Sequence, residues 1–255
     1  MTAYWVREFM ARAAKAVAIF LSLVLSSQFA AIAASGTGFC PIPLDKGTQW
    51  TYEGKVEWTV SGSAKVKSAQ IRWVSAVLDL VKGPKAQAAI VLGFPDELAW
   101  YEPGQSRGFC VLLSVSNKLY RLRTDGESQA RILARQLTES PRALPQTAEE
   151  LLELPLAVGR KWGQDPARED TWYCWCVEQV QARGLSIGGF ASRGPLKTYR
   201  LAYRTCPDHQ LLDIVPGLGI VRFVYNHHGT VMSTDARLIS FSRPGGSTAQ
   251  RKPTN

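Results

Sequence analysis

The stretch Gln49-Trp50-Thr51-Tyr52-Glu53-Gly54-Lys55-Val56-Glu57-Trp58-Thr59-Val60 decides the fold class. Trp50, Tyr52, Val56, Trp58 and Val60 share one parity, with polar residues or glycine at most places between them. A helix would scatter these side chains around its circumference, whereas the two-residue period of a strand puts them all on one face. The reading is a β-strand with one buried, aromatic-rich face.

Working outward, Ala64 to Val81 repeats the alternation loosely, and Ser61-Gly62-Ser63 supplies the turn of a hairpin. Further strands are predicted at Ala86 to Phe94, Phe109 to Val115 and Lys118 to Arg123, the last two joined at Ser116-Asn117. A second set follows at Thr171 to Gln181, Lys197 to Thr205, His209 to Val215, Gly219 to Tyr225 and Thr230 to Phe241, with turns at Pro216 to Gly219 and Asn226 to Gly229. Helical spacing appears over Ser128 to Leu137, with Asp125 or Ser128 as cap and Pro141 and Pro145 as stops. Gln146 to Leu152 reads as one or two more helical turns, capped by Thr147 with Glu149 and Glu150 in the first turn. The predicted class is mainly β: a curved antiparallel sheet or open half-barrel meander with one or two short helices.

The N-terminus has a different grammar. Arg7, Arg12 and Lys15 precede an apolar run from Ala16 to Leu25 that ends in Ala31-Ile32-Ala33, the order of a secretory signal with cleavage after Ala33. The alternative is an uncleaved anchor, because Ala13 to Ala34 approaches the roughly 20 residues that span a bilayer. Phe39 before Cys40 is too bulky for a lipoprotein site. The expected organisation is a signal at 1–33, one β-rich domain at 34–241 and a disordered tail at 242–255, with a periplasmic or secreted location and no further membrane span.

Removal of residues 1–33 lowers the formal charge from +9 to +7, and three of the remaining positive charges, Arg243, Arg251 and Lys252, lie in the tail. Without a dense basic stripe this gives no footprint for nucleic acid. Five cysteines remain, Cys40, Cys110, Cys174, Cys176 and Cys206, and an oxidising compartment predicts that some pair. Cys174-Trp175-Cys176 lacks the spacing of a zinc or thioredoxin-like motif.

Pro43-Leu44-Asp45-Lys46-Gly47-Thr48-Gln49-Trp50 is echoed 112 residues later by Pro155-Leu156-Ala157-Val158-Gly159-Arg160-Lys161-Trp162. That interval is far longer than solenoid repeats and suggests two entry turns into one sheet system. On these motifs, and on Pro216-Gly217-Leu218-Gly219-Ile220-Val221, the chain resembles a group of uncharacterised exported bacterial proteins that open with Pro-Leu-x-x-Gly-x-x-Trp-x-Tyr. The resemblance implies export and carries no catalytic residue with it.

No constellation forms a catalytic, metal or cofactor signature. His227 and His228 sit in a predicted turn, and Asp213 and Asp235 are the nearest carboxylates in sequence without a ligand spacing. Asp208-His209 lacks a nucleophile elbow. Asp96-Glu97 and Glu149-Glu150 are adjacent carboxylates, which point apart on a strand and diverge on a helix. The aromatic residues, among them Trp58, Trp73, Trp100, Tyr101, Trp172, Tyr173 and Trp175, fit a core or a concave binding face. The functional readings are an envelope protein holding a lipid-like, apolar or amphipathic ligand on a concave sheet, a module that docks another envelope protein through a sheet edge or the loop at 184–194, or a hydrolase whose site assembles from distant residues.

Overall fold

The alternation read at Gln49 to Val60 runs through most of the chain. The computed structural model describes residues 40–245, apart from 61, 62, 64, 102, 103, 142, 143, 193 and 228–231. Twelve strands form one antiparallel sheet. They are β1 Gln49–Thr59, β2 Val66–Lys82, β3 Ala86–Leu92, β4 Phe109–Val115, β5 Lys118–Thr124, β6 Glu149–Glu153, β7 Lys161–Trp162, β8 Trp175–Arg183, β9 Leu196–Arg204, β10 Asp208–Val215, β11 Gly219–His227 and β12 Met232–Ser242. A 3-10 helix, Pro95–Trp100, and an α-helix, α1 Glu127–Glu139, complete the elements.

The spatial order is β6-β5-β4-β3-β2-β1-β12-β11-β10-β9-β8-β7, a meander joined through its first and last strands from Gln49↔Ser242 to Trp58↔Met232. Its two ends, β6 and β7, come side by side. Trp162 Nε1 donates to the Leu151 carbonyl at 3.3 Å and Arg160 pairs with Glu153 at 2.7 Å, while no backbone ladder joins the two strands among the described residues. The curved sheet expected from sequence therefore curls almost into a barrel, with one seam closed by side chains.

The inward face is filled. Trp50, Tyr52, Trp73, Trp162, Trp175 and Phe223 are all buried there. Three of these side chains bond backbone across the core: Trp50 Nε1 donates to Leu218 O at 2.6 Å, Tyr52 Oη to Ile220 O at 2.9 Å and Trp73 Nε1 to Gly93 O at 2.8 Å. An aromatic core with such partners loses little to desolvation. The void between Ile42, Trp50, Tyr52, Phe94 and Leu112 measures about 10 Å³.

The echoed motif marks two equivalent halves. Gly47 N donates to Val77 O at 2.8 Å and Val77 N to Thr48 O at 2.9 Å; Gly159 N donates to Val177 O at 2.8 Å and Val177 N to Arg160 O at 3.0 Å. Both glycines hold positive φ, 86° and 83°, which fixes the residue type at these turns. Each half then carries a register shift at the same point, Val77/Asp79 in β2 and Val177/Gln179 in β8. From there the pairing Ile90↔Val111↔Leu122 in β3, β4 and β5 corresponds to Arg200↔Asp213↔Arg222 in β9, β10 and β11.

That correspondence explains the outer faces. Ile90, Val111 and Leu122 are covered by Ala130, Ala134 and Leu137 of α1, which the amphipathic spacing at Ser128 to Leu137 anticipates. Arg200, Asp213 and Arg222 have no such helix over them and form ion pairs instead. Buried Asp213 accepts from Arg200 at 2.8 and 2.9 Å and from Arg183 at 3.0 Å, and Asp235 accepts from Arg222 at 2.8 and 2.7 Å. A charged outer face around an apolar interior is the reverse of a membrane barrel, whose outer band is apolar. No described helix is long and apolar enough to cross a membrane.

Several local expectations are corrected. Glu149 to Leu152 is strand, because Leu119↔Leu152 pairing buries Leu151 and Leu152 and sends Glu149 to Arg121 and Glu150 to Lys118. Sheet pairing outweighs the helix-start pattern of the glutamates. α1 begins after Gly126 with no side-chain cap; Gln129 Oε1 instead accepts from the Asp125 backbone N–H at 2.7 Å. β8 starts at Trp175 and not at Thr171, since Asp170 is drawn into a turn with Arg168 at 2.7 Å and accepts from Trp172 N at 3.0 Å. At the C-terminal end Ser242 closes β12, Arg243 Nε reaches Asp45 at 2.6 Å, and residues 246–255 lie outside the described residues, as does the signal expected at 1–33.

The expected disulfides are absent: all five cysteines carry free thiols. Strand alternation puts Cys110 on the inward face of β4 and Cys176 on the outward face of β8, Cys174 is buried just before β8, and Cys206 sits in an exposed turn. Burial pushes the Cys40 thiol up to about 12 and raises that of Cys110, Cys174 and Cys176 as well.

Candidate functional site

The end of the barrel near the β3–β4 connection gathers most of the polar chemistry. The chain leaves β3 at Gly93, crosses the mouth as the 3-10 helix, and returns to β4 where Gly93 N donates to Gly108 O at 2.9 Å. Positive φ at Gly93, 73°, and Val74 O at 2.7 Å from where a Cβ would stand make glycine necessary at this exit. Phe94, Leu98 and Ala99 enter the core, and Thr234 Oγ1 donates to Leu98 O at 2.6 Å, so the segment plugs the mouth.

Asp96 is the plug's anchor. It is buried, pairs with Arg121, and accepts from Arg123 Nη2 at 2.6 Å, while Arg121 also bonds Glu149 and lies 6.0 Å from the Phe94 ring centroid. Burial lowers the Arg121 guanidinium from its ordinary value, and the Glu149 carboxylate opposes that shift. Glu97 accepts from Gly108 N at 2.7 Å, and burial raises its carboxyl above the usual range. The adjacent carboxylates Asp96 and Glu97 thus serve two different anchoring bonds, and Glu149 and Glu150 point to Arg121 and Lys118.

Beside the plug, Asp208 Oδ1 accepts from Tyr225 Oη at 2.5 Å and contacts His227 Nδ1 at 2.8 Å. Trp100 stands edge-on to the imidazole at 4.8 Å between centroids and 5.6 Å from the Tyr225 ring, with 53% of its surface exposed. Burial opposes ionisation of Asp208, yet hydrogen bonds from His227 and Tyr225 hold its carboxyl below the ordinary value. The carboxylates nearest His227 in sequence, Asp213 and Asp235, are both taken by arginines, and it is Asp208 that lies opposite it across β10 and β11. His209, next to Asp208 on the same strand, points to the other face. His228 lies outside the described residues. Among the described residues no serine, threonine or cysteine bonds His227. No described group of three or more histidine, cysteine or carboxylate side chains could hold a metal ion.

The second feature is a groove of about 630 Å³ on the outside of the same end. One wall is β2 at Gln70, Arg72 and Val74 with Trp73 beneath; the other is the returning arm at Tyr101, Gln105 and Arg107. Arg107 Nη1 donates to Val74 O at 3.1 Å and closes one end. β2 has 17 residues while β3 pairs with it only from Ala76 onward, so among the described residues the upper part of β2 has a strand neighbour on one side alone. The unequal lengths of the two strands are visible in the sequence, but only the register, with Ala76 opposite Leu92, and the return of the arm at Tyr101 to Arg107 alongside β2 create the groove.

No protein-family model matches the chain, and no curated protein is significantly similar to it. Two solved structures follow a similar chain path. One, from Bacteroides fragilis and described as an exported protein of YmcC-like fold, has a TM-score of 0.41 at 10% identity, covering 79% of this chain and 98% of its own. The other, described as a lipoprotein from Parabacteroides distasonis, has a TM-score of 0.39 at 11% identity, covering 81% and 100% respectively. Similarity at this level transfers no site, ligand or location to the present chain.

Proposed function

We propose that this is an exported, non-catalytic module of the cell envelope that binds another protein at the plugged end of its barrel. The signal pattern at 1–33 supports export. The observation that carries the binding reading is the contrast between interior and exterior: a void of about 10 Å³ inside and a groove of about 630 Å³ outside. Pockets for drug-sized or lipid-like ligands run to roughly 300–1,000 Å³, so the filled concave face does not support the carrier reading. Exposed Trp100, Trp172 and Tyr173 add the kind of aromatic surface enriched at protein contacts.

A photo-reactive residue placed at Gln70 or Gln105 in the full chain, expressed in its native host, tests this. A discrete protein adduct from both positions, and none from exposed Val158 at the turn before β7, is the expected result. Native mass spectrometry of the exported protein that releases a lipid-like mass, with no adduct at either groove position, would reverse the choice.

A further inference from the structure

We infer that the upper edge of β2, from Val66 to Arg72, takes up an extended, carboxylate-bearing strand of the partner, which would extend the sheet by one strand; this rests on the module reading above. The direction of the backbone groups is fixed at both ends of the hairpin. Val60 N donates to Lys65 O at 3.0 Å near the tip, Val77 N donates to Thr48 O at 2.9 Å at the base, and the register between β1 and β2 is unbroken from Thr59↔Val66 to Gln49↔Ala76. In an antiparallel ladder successive residues turn their N–H and C=O groups alternately to the two sides. Odd-numbered residues of β2 therefore bond β1, and Val66, Ser68, Gln70, Arg72 and Val74 present theirs to the other side.

Val74 O is taken by Arg107, and Ala76 begins the pairing with β3. Among the described residues Val66, Ser68, Gln70 and Arg72 have no strand partner on that side. At about 3.4 Å per residue this edge offers roughly 24 Å, enough for a strand of about seven residues. Natural sheets seldom leave such an edge open, and lysines are a common guard against self-pairing. Lys65 and Lys67 stand here, exposed.

The same guard selects the occupant. Lys65 and Lys67 stand at the edge and Arg107 in the groove, while Arg72 between them is paired with Glu53 at 3.4 Å. Glu102 lies outside the described residues. Lys65 and Lys67 share one face of β2, so a strand whose alternating carboxylates stand on that face meets complementary charge, a cationic strand meets repulsion, and half-exposed Val66, on the opposite face, offers apolar contact to the residues between the carboxylates.

The test uses ¹⁵N-labelled exported protein and three synthetic heptapeptides: one alternating glutamate with valine and threonine, its lysine analogue, and the glutamate peptide N-methylated at alternate amides. Amide exchange at Ser68, Gln70 and Arg72 should be fast in the free protein, while Ala69, Ile71 and Trp73, bonded to β1, should be protected. The glutamate peptide slows exchange at Ser68, Gln70 and Arg72 at least tenfold at saturation, and both analogues bind at least tenfold more weakly. Gln70→Pro removes only an outward N–H and should fold and lose the peptide; if it does not fold, the N-methylated peptide still decides the point. Equal binding of the lysine analogue overturns the charge assignment, and equal binding of the N-methylated peptide or unchanged exchange at millimolar peptide overturns strand addition. A partner cross-linked at Gln70 while Ser68, Gln70 and Arg72 exchange freely would keep the module reading and overturn this one.

Discussion

The barrel's unladdered seam makes a quantitative prediction through Trp162. Trp162→Phe keeps an aromatic ring in place but removes the indole N–H that bonds Leu151 O at 3.3 Å across β6 and β7. Loss of roughly 40 Å² of buried ring at ~25 cal/mol per Å² contributes about 1 kcal/mol, and incomplete collapse of the space adds to it. The orphaned Leu151 carbonyl adds about 1 kcal/mol, at the low end because the bond is long. The expected loss is about 2–3 kcal/mol. Trp50→Phe removes the same ring area and orphans Leu218 O from a 2.6 Å bond, in a strand laddered on both sides, so it should cost about 1 kcal/mol more. Urea unfolding of the reduced protein, followed by tryptophan fluorescence, measures both, and a domain of this size should show a Tm lower by about 2–4 °C per kcal/mol. A loss below about 0.5 kcal/mol for Trp162→Phe, or a larger loss there than at Trp50, would refute the assignment of seam closure to this side chain.

Three further outcomes follow from the same geometry. Gly159→Ala should cost about 1 kcal/mol from the positive-φ strain alone, since a Cβ there has open space, and Gly47→Ala should cost more because its Cβ would lie 3.0 Å from Pro244 Cγ; equilibrium unfolding of both variants gives the order. In reduced native protein at pH 8, a thiol reagent should modify Cys206 rapidly and the other four thiols only on unfolding, and Cys206→Ser should remove the fast phase. Asp208 has a depressed carboxyl pKa when folded, so its contribution to stability is present above the ordinary carboxylate range and is lost as pH falls through the folded value. Asp208→Asn should therefore flatten the acid limb of the stability profile below about pH 4; an unchanged limb would mean the bonds from His227 and Tyr225 add nothing.

What the sequence determined by itself was ten of the twelve strands and the curved antiparallel class, because alternation such as Trp50, Tyr52, Val56 and Trp58 has only one conformation that buries one face. It also marked the two Pro-Leu-x-x-Gly turns, whose glycines the backbone requires. Tertiary structure alone decided the rest. Glu149 to Glu153 reads as a helix start and becomes a strand because β5 offers it a partner. Asp208 and His227 are 19 residues apart and meet only because β10 and β11 pair in that register, whereas sequence proximity favoured Asp213 and Asp235. The groove exists because β2 outruns β3 beyond Ala76 and the arm at Tyr101 to Arg107 returns beside it, and that register and placement are written in neither strand separately. Local patterns report which side of a strand faces apolar surroundings; which residues face each other, and which edge is left without a neighbour, are properties of pairing between segments far apart in the chain.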